Sequence, residues 1–270
     1  MKQRYMVIDI SLCHDCNNCF MACKDEHVDN DWMPYTGPQP RHGHRWMDIQ
    51  RTERGQFPRI DVAYLPTPCQ HCENAPCQQA HPECVTRRED GVVLIDVEKA
   101  KDVKDLVSSC PYGAIYWNEE ACTPQKCTMC AHILDTGVAP GMPRCAHSCP
   151  TGAIQFYTME PAEMEKKVAD EGLEVYLPEL NTKPHVFYKN MYRFLKSFVS
   201  GELLKGGECA EGVSVTLKGA GVDEQQYTDC FGEFKFDALE PGDYTLYADG
   251  REIKKVRVKE SVNVGEIVLD

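Results

Sequence analysis

Alternating apolar and polar residues mark the last quarter of the chain. From residue 213 onward apolar side chains recur at every second position, which is the period of a strand with one buried face. The alternating sets are Val213-Val215-Leu217, Phe234-Phe236, Tyr244-Leu246, Val256-Val258, Val262-Val264 and Ile267-Leu269. Turn residues such as Pro241-Gly242 separate these sets. The pattern predicts a small antiparallel β-sandwich or barrel over residues 206–270.

Residues 1–190 have a different character, with many Cys, Pro and His residues and only short apolar runs. The pattern predicts a strand in residues 1–12, a strand in residues 92–96 and a helix in residues 97–110. A further charged helix is predicted at Pro161–Glu171, because proline is favoured in the first turn of a helix. We therefore predict an α+β fold, with residues 191–205 as a linker to the β region.

Composition narrows the classes of protein to which the chain can belong. Of its 16 cysteines, 14 precede residue 150, and this crowding indicates metal sites or disulfides. Residues 1–12 lack the apolar segment of an export signal, so we expect the cytoplasm, where thiols stay reduced. The net charge is −13 with no basic stripe, which argues against nucleic acid as a partner. No apolar run of about 18 residues is present, so we expect no transmembrane segment.

The cysteines before residue 150 form four ordered groups, and their spacing is specific to one kind of cofactor. A cubane [4Fe-4S] cluster needs one thiolate for each of its four irons, and three cysteines at x2 spacing on a tight loop reach three of them. A fourth cysteine followed by proline points away and binds the other cluster of a pair. A four-cysteine zinc site would need only two CxxC pairs. The groups are Cys13-x2-Cys16-x2-Cys19-x3-Cys23, Cys69-x2-Cys72-x4-Cys77, Cys110-Pro111, and Cys127-x2-Cys130 with Cys145-x3-Cys149-Pro150.

This exchange of ligands between groups predicts three clusters. The first set is Cys13, Cys16, Cys19 and Cys149, the second is Cys23, Cys127, Cys130 and Cys145, and the third is Cys69, Cys72, Cys77 and Cys110. A fourth cluster would need cysteines at four further positions, which hold His81, Ala100, Val103 and Leu106. All four ligands of one cluster are missing together, so we predict that these residues fill the vacated space as apolar core.

Some chemically suggestive residues fall outside the three sets. Lys24 and Lys126 adjoin predicted ligands, and they either offset the negative charge of a cluster or are exposed lysines without a role. Four cysteines are left over. We expect Cys84 and Cys122 to be small packing residues. We expect Cys209 and Cys230 to be free thiols.

The order of the four groups resembles a known family, the iron–sulfur subunits of molybdenum and tungsten oxidoreductases of the dimethyl sulfoxide reductase family. The motifs that carry the resemblance are CHDCNNCFMAC, CQHCENAPC, CPYGAI, KCTMCAH and CAHSCPTGAI, within residues 5–190. The resemblance implies two tandem ferredoxin-like [4Fe-4S] modules, an outer one at residues 1–30 and 120–160 and an inserted one at residues 65–118. The motifs GVSVTL, TDCFGEFKF and LEPGDYTLYA make residues 206–270 similar to Cna-B or carboxypeptidase-regulatory β domains.

The same resemblance implies a catalytic partner. This partner is a large molybdopterin subunit, with molybdenum held by two pterin guanine dinucleotides, and this chain would transfer electrons without catalytic residues of its own. The partner's reaction is either a hydroxyl transfer between trihydroxybenzenes or a reductase or dehydrogenase reaction of the formate, polysulfide or arsenate type. A different class of function also stays open, in which the clusters mainly stabilise the fold of the subunit.

Overall fold

The computed structural model describes all 270 residues and divides the chain into two compact units. The first unit consists of residues 1–50 and 64–190, and the second of residues 51–63 and 191–270. Strands predominate, and the six α-helices are short. None of the helices combines the length and the apolar character that a membrane span requires.

The first unit is built of short strands joined by loops and single helical turns. Its central sheet has three strands in the order β8-β1-β9, with β1 antiparallel to β8 and parallel to β9. The hairpins β2–β3, β4–β5 and β6–β7 form two-stranded sheets, and the tip of β2–β3 belongs to the second unit. The strands are β1 (Gln3–Asp9), β2 (Met47–Gln56), β3 (Arg59–Pro68), β4 (Val85–Arg87), β5 (Val93–Ile95), β6 (Tyr116–Asn118), β7 (Thr123–Gln125), β8 (Ile154–Met159) and β9 (Val186–Lys189). The helices are α1 (Asn18–His27), α2 (Pro76–Ala80), α3 (Ala131–Leu134), α4 (Arg144–His147) and α5 (Pro161–Glu171), with 3-10 turns at Ile10–Leu12, Lys104–Ser109 and Pro178–Leu180.

Local sequence signals account for α5, which has the predicted bounds. Pro161 occupies the first turn, and Glu160 and Glu163 form a capping box in which each side chain accepts a hydrogen bond from the other residue's backbone N–H. The helix ends at Gly172, whose φ of 61° is the left-handed conformation that favours glycine. The predicted strand at the N-terminus is also present as β1, in which Met6 and Ile8 are buried.

The predicted helix over residues 97–110 is wrong. The Asp96 side chain accepts hydrogen bonds from the N–H groups of Glu98 and Lys99, which starts a turn. The chain then reverses at Asp102, whose φ is 63° and whose N–H donates to the carbonyl of Cys122. Only a 3-10 helix follows, at Lys104–Ser109. A long-range backbone bond thus interrupts a segment whose local composition favours a helix.

The second unit contains two four-stranded sheets. One has the order β11-β10-β14 with β17 also paired to β10, and the other has the order β13-β12-β15-β16. Its elements are α6 (Tyr192–Leu195), β10 (Ser197–Lys205), β11 (Glu208–Cys209), β12 (Ser214–Gly219), β13 (Val222–Tyr227), β14 (Glu233–Leu239), β15 (Gly242–Ala248), β16 (Arg251–Val258) and β17 (Val262–Leu269). Strands of both sheets contribute to one hydrophobic core, which includes Leu203, Val215, Phe234, Leu246 and Val256. The alternation read from the sequence therefore marks the inward face of these strands.

Residues 191–205 are not a linker, because Ser197–Lys205 form β10, the strand with partners on both sides in its sheet. β10 pairs antiparallel with β14 but parallel with β17. The prediction of a purely antiparallel arrangement is therefore wrong for this sheet. The sequence hides this strand because residues on both of its faces are covered. Val199, Ser200 and Gly201 are all buried in succession, which removes the alternation of a strand with one exposed face.

Gly201 is required where β10 is covered most closely. A Cβ atom at this position would lie 2.5 Å from Val264 Cγ2 and 2.7 Å from the Phe234 ring. We expect Gly201→Val to lower the free energy of unfolding of this unit by about 1–3 kcal/mol, because overpacking displaces core side chains. Urea unfolding followed by far-UV circular dichroism measures the loss. Lys205→Ala, at the exposed end of the same strand, is the control, and an equal loss there would contradict the packing explanation.

A buried ion-pair network lies within the second unit. The Arg54 guanidinium, whose side chain is 6% exposed, is 2.6 Å from an Asp61 oxygen and 2.8 Å from an Asp237 oxygen. Arg54 also donates to the carbonyl of Lys196 at 2.9 Å, and Lys235 pairs with both carboxylates. These bonds join the β2–β3 tip to β14 and to the segment before β10, so two parts of the chain far apart in sequence share one charged cluster.

Candidate metal centres

The first cysteine group lies where the chain leaves β1. Cys13 follows the 3-10 turn Ile10–Leu12, and Asp15 and Asn17 then take positive φ values of 55° and 59° that turn the loop tightly. Helix α1 begins at Asn18 and carries both Cys19 and Cys23. Since residues four apart lie on one face of a helix, separated by about one turn, these two thiols are stacked along the helix. They can therefore reach two neighbouring centres.

The predicted first set comes together at the surface of the first unit. The thiols of Cys13 and Cys19 each interact electrostatically with Cys16 and Cys149. Burial raises the pKa of Cys19 to about 12. Burial acts in the same direction on Cys149, but hydrogen bonds from the Thr151 hydroxyl and from backbone N–H groups lower its pKa overall. Such bonds stabilise a thiolate, which is the form that binds metal.

The predicted second set encloses a cavity. Cys23, Cys127, Cys130 and Cys145 line one small cavity, together with Trp46, Met47 and His27 among others. Burial raises the pKa of Cys127 to about 11 and that of Cys130 to about 12. Burial and the neighbouring cysteines also raise the pKa of Cys23 and of Cys145. Because thiolates are the form that binds metal, binding of a metal by these protonated thiols would release protons.

The predicted third set lines a second small cavity, which is bordered by Cys69, Cys72, Cys77 and Cys110. Burial raises the pKa of Cys72 to about 12 and that of Cys77 to about 11. A hydrogen bond from the Thr182 hydroxyl acts in the opposite direction on Cys72. The same hydroxyl is 2.6 Å from the Tyr112 hydroxyl. Three buried cysteines and the partly buried Cys110 around one space are a thiolate donor set, which suits an iron–sulfur cluster and not a hard ion such as Mg²⁺ or Ca²⁺.

The second and third sets are neighbours. Burial raises the pKa of Cys127, and the next largest cause is the charge of Cys69, which belongs to the other set. Lys126 lines the third-set cavity and donates to the carbonyl of Cys127 in the second set, so the two cysteine sets lie close together within the first unit.

A fourth cluster would need cysteines at four positions that hold other residues, and none of these residues lines either cysteine cavity. Ala100 and Leu106 are fully buried in an apolar cluster, and Val103 packs against it, as predicted. His81 is only partly buried, and its ring lies 3.4 Å from a Glu83 oxygen and 3.5 Å from an Asp105 oxygen. The prediction that His81 fills the apolar space is therefore wrong, because the imidazole finds carboxylate partners nearer the surface.

The cysteines outside the sets differ in environment. Cys84 is fully buried in the same apolar cluster, as expected of a packing residue. Cys122 is not in a core; it lies in a turn with φ of 50°, and its thiol donates to the carbonyl of Glu119 at 3.6 Å. Cys209 and Cys230 are exposed free thiols.

Sequence reasoning missed two residues that contact the predicted ligands, Thr182 and His27, and it left the burial of two lysines open. Thr182 lies more than 100 residues after Cys72, and no motif connects the two. His27, in α1, is held by a bond between its Nδ1 and the carbonyl of Cys23 at 3.0 Å. Lys24 and Lys126 are both buried, with 9% and 3% exposure, so the interpretation of exposed lysines is wrong for both. A motif shows which residues supply ligands, whereas the cavity wall comes from segments distant in sequence.

Comparison with known proteins gives consistent matches. The family model described as a 4Fe-4S dicluster domain matches residues 60–159. The small subunit of pyrogallol hydroxytransferase from Pelobacter acidigallici is 54% identical over 275 residues and covers 100% of both chains. A tetrathionate reductase subunit from Salmonella typhimurium is 33% identical over 69% of this chain and 72% of its own length. A sulfite dehydrogenase subunit from Allochromatium vinosum is 31% identical over 70% of this chain and 83% of its own length.

These matches confirm the family predicted from the cysteine motifs. The similarity to the 54% identical relative extends along the whole of both chains, including the β region of this one. The chain belongs to the family of 4Fe-4S subunits that includes the small subunit of pyrogallol hydroxytransferase.

Proposed function

We propose that this chain is the electron-transfer iron–sulfur subunit of a molybdenum enzyme and holds three [4Fe-4S] clusters. The observation that carries the proposal is that, in the second and third sets alike, three cysteines from one part of the chain and one distant cysteine line a single cavity. The proposed ligands are Cys13, Cys16, Cys19 and Cys149; Cys23, Cys127, Cys130 and Cys145; and Cys69, Cys72, Cys77 and Cys110. The apolar packing of Ala100 and Leu106 supports three clusters instead of four.

The proposed architecture is two ferredoxin-like modules, one inserted in the other, followed by a β-sandwich. Pairing of β1 with β8 supports it, because the two ends of the outer module then lie in one sheet while the inserted module lies between them in sequence. The two sheets of the second unit share one core, which supports a sandwich.

In this function the bound clusters supply one-electron redox chemistry at nearly constant geometry. The residues of the chain hold the clusters by thiolates, exclude water by burial and tune the charge with hydrogen bonds. Thr182 donates toward Cys72, and Thr151 donates toward Cys149. No side chain of this chain is assigned as a catalytic acid, base or nucleophile.

The partner we propose is a large catalytic subunit with molybdenum on two pterin guanine dinucleotides, in the cytoplasm. The specific enzyme is pyrogallol–phloroglucinol transhydroxylase (pyrogallol hydroxytransferase), and the full-length 54% identity supports this choice over a reductase or dehydrogenase. The relatives named as reductase and dehydrogenase subunits, at 31–33% identity, support the second candidate, an electron-transfer subunit of that type. Substrate turnover by the co-purified complex separates the two.

Metal analysis tests the cluster proposal. We expect about twelve irons and about twelve sulfides per chain after anoxic purification, because each of three cubanes holds four of each. Molybdenum should co-purify with the large subunit. About sixteen irons, or zinc in place of iron, would refute the assignment.

Reduction kinetics test whether the clusters carry electrons. If the chain transfers electrons, its clusters should be reduced by substrate through the large subunit as well as by dithionite. A mainly structural role predicts clusters that no substrate reduces at any point of turnover.

A further inference from the structure

Lys126 is a buried cation at the wall of the third-set cavity. It is 3% exposed and lines the same cavity as Cys69, Cys72, Cys77 and Cys110. Its ammonium donates to the backbone carbonyls of Val93 and Cys127, the latter at 3.1 Å. These carbonyls orient the ammonium without neutralising its charge, so the positive charge stays available to the surrounding thiolates.

The charge of Lys126 acts on both neighbouring sets. Its side chain lines the cavity of the third set, and its ammonium donates to the backbone carbonyl of Cys127, a member of the second set, at 3.1 Å. The pKa values of Cys77 and Cys127 are consistent with this position, because burial raises both and the charge of Lys126 opposes the rise in each. None of the first-set cysteines lines the cavity that Lys126 lines.

We infer that Lys126 sets the reduction potentials of two clusters together, those of the second and third sets, an inference that rests on the proposed function. A cluster gains one negative charge when it accepts an electron. A fixed cation in a buried site stabilises that extra charge strongly, because the surroundings screen it less than water does. Lys126 therefore raises both potentials.

Lys24 provides a matched control within the same chain. It is also buried, also adjoins a proposed ligand, and also donates to a backbone carbonyl, that of Pro40 at 2.8 Å. Its charge acts on Cys23, which belongs to the second set. Removal of the Lys24 charge should therefore move one potential, whereas removal of the Lys126 charge should move two.

The test is a redox titration of the holo-complex, with each cluster followed by electron paramagnetic resonance, for wild type, Lys126→Met and Lys24→Met. We expect Lys126→Met to lower two potentials so that the reduced-to-oxidised ratio at fixed ambient potential falls roughly tenfold, which is about 59 mV for a one-electron couple. Lys24→Met should lower one of those same two. The remaining potential, that of the cluster held by the first set, should be unchanged in both variants.

Further variants separate charge from hydrogen bonding. Lys126→Gln keeps a donor and should shift the same two potentials, whereas Lys126→Arg keeps the charge and should leave them near wild type. Unchanged potentials in Lys126→Met and Lys126→Gln at full iron content would overturn the inference while leaving the proposed function intact. Loss of iron in Lys126→Met and Lys126→Gln would also overturn the inference, because Lys126 would then be needed for assembly of the clusters. Absence of iron from the wild type would instead refute the proposed function.

Discussion

Replacement of Cys110 by alanine is expected to lower the iron content from about twelve to between about eight and eleven per chain. Cys110 is the only member of its set outside the closely spaced trio, and it completes the third cavity. Without its thiolate the cluster lacks a ligand for one iron, so either that iron or the whole cluster is lost. Metal analysis after anoxic purification, with the cluster signals in electron paramagnetic resonance spectra, measures the loss.

Cys84→Ala is the matched control for this prediction. Cys84 is fully buried in the same apolar cluster as Cys72 and Cys77 but faces no cavity with them. It should keep about twelve irons. If Cys110→Ala retained full iron, the assignment of Cys110 as a ligand would fall. If both variants lost iron equally, disturbed packing would explain the loss.

The second large effect is expected from Arg54→Met in the second unit. Loss of the guanidinium leaves Asp237 with Lys235, and Asp61 with Lys235 and Arg193, as the remaining cations. Removal of one partner from a buried ion pair costs about 3–5 kcal/mol, and we expect a loss at the lower end of this range because these two cations remain. Hydrogen exchange of residues 197–205 and 233–239, read by mass spectrometry, measures the loss.

Two controls separate the network from general surface charge. Arg54→Lys keeps the charge but not the forked geometry, so its loss should be smaller. Lys255→Met removes a cation that pairs with Glu252 on an exposed surface, and it should change the free energy of unfolding by less than about 1 kcal/mol. A loss in Lys255→Met as large as that in Arg54→Met would contradict the prediction.

The Arg54 effect should depend on pH. Burial alone would raise the pKa of Asp61, but hydrogen bonds and charges from Lys235 and Arg54 outweigh it and lower the pKa to about 2. Since the folded pKa lies below the usual value, this carboxylate stabilises the fold fully above about pH 4 and loses that contribution as the pH falls toward 2. The difference between wild type and Arg54→Met should therefore shrink between pH 4 and pH 2.

The parts of the structure that were predictable from sequence are those governed by neighbours along the chain. Helix α5 has its proline, capping box and terminal glycine in one short stretch of sequence. Alternation in β12, β14 and β15 follows from one buried face in each strand. The segment 97–110 shows where such signals fail, because the backbone bond between Asp102 and Cys122 overrides a local preference for helix.

In the candidate site, too, features set by local spacing were predictable from sequence, and contacts between distant segments were not. Spacing predicted closely spaced groups such as Cys13, Cys16 and Cys19, because a tight loop can present several thiolates at short intervals. The bond from Thr182 toward Cys72 and the burial of Lys126 beside two sets had no counterpart in a motif. Both depend on segments that meet only in the folded chain.

By itself, then, the sequence determined the kind of cofactor, the identity of its proposed ligands and the family, since each follows from short-range spacing of reactive side chains. Tertiary structure decided that residues 197–205 form the strand paired on both sides in their sheet, that the hairpin tip 51–63 joins the β unit through Arg54, and that Lys126 is buried instead of exposed. The physical reason is that burial and charge pairing depend on which distant segments come together, and neither is encoded in any one stretch of residues.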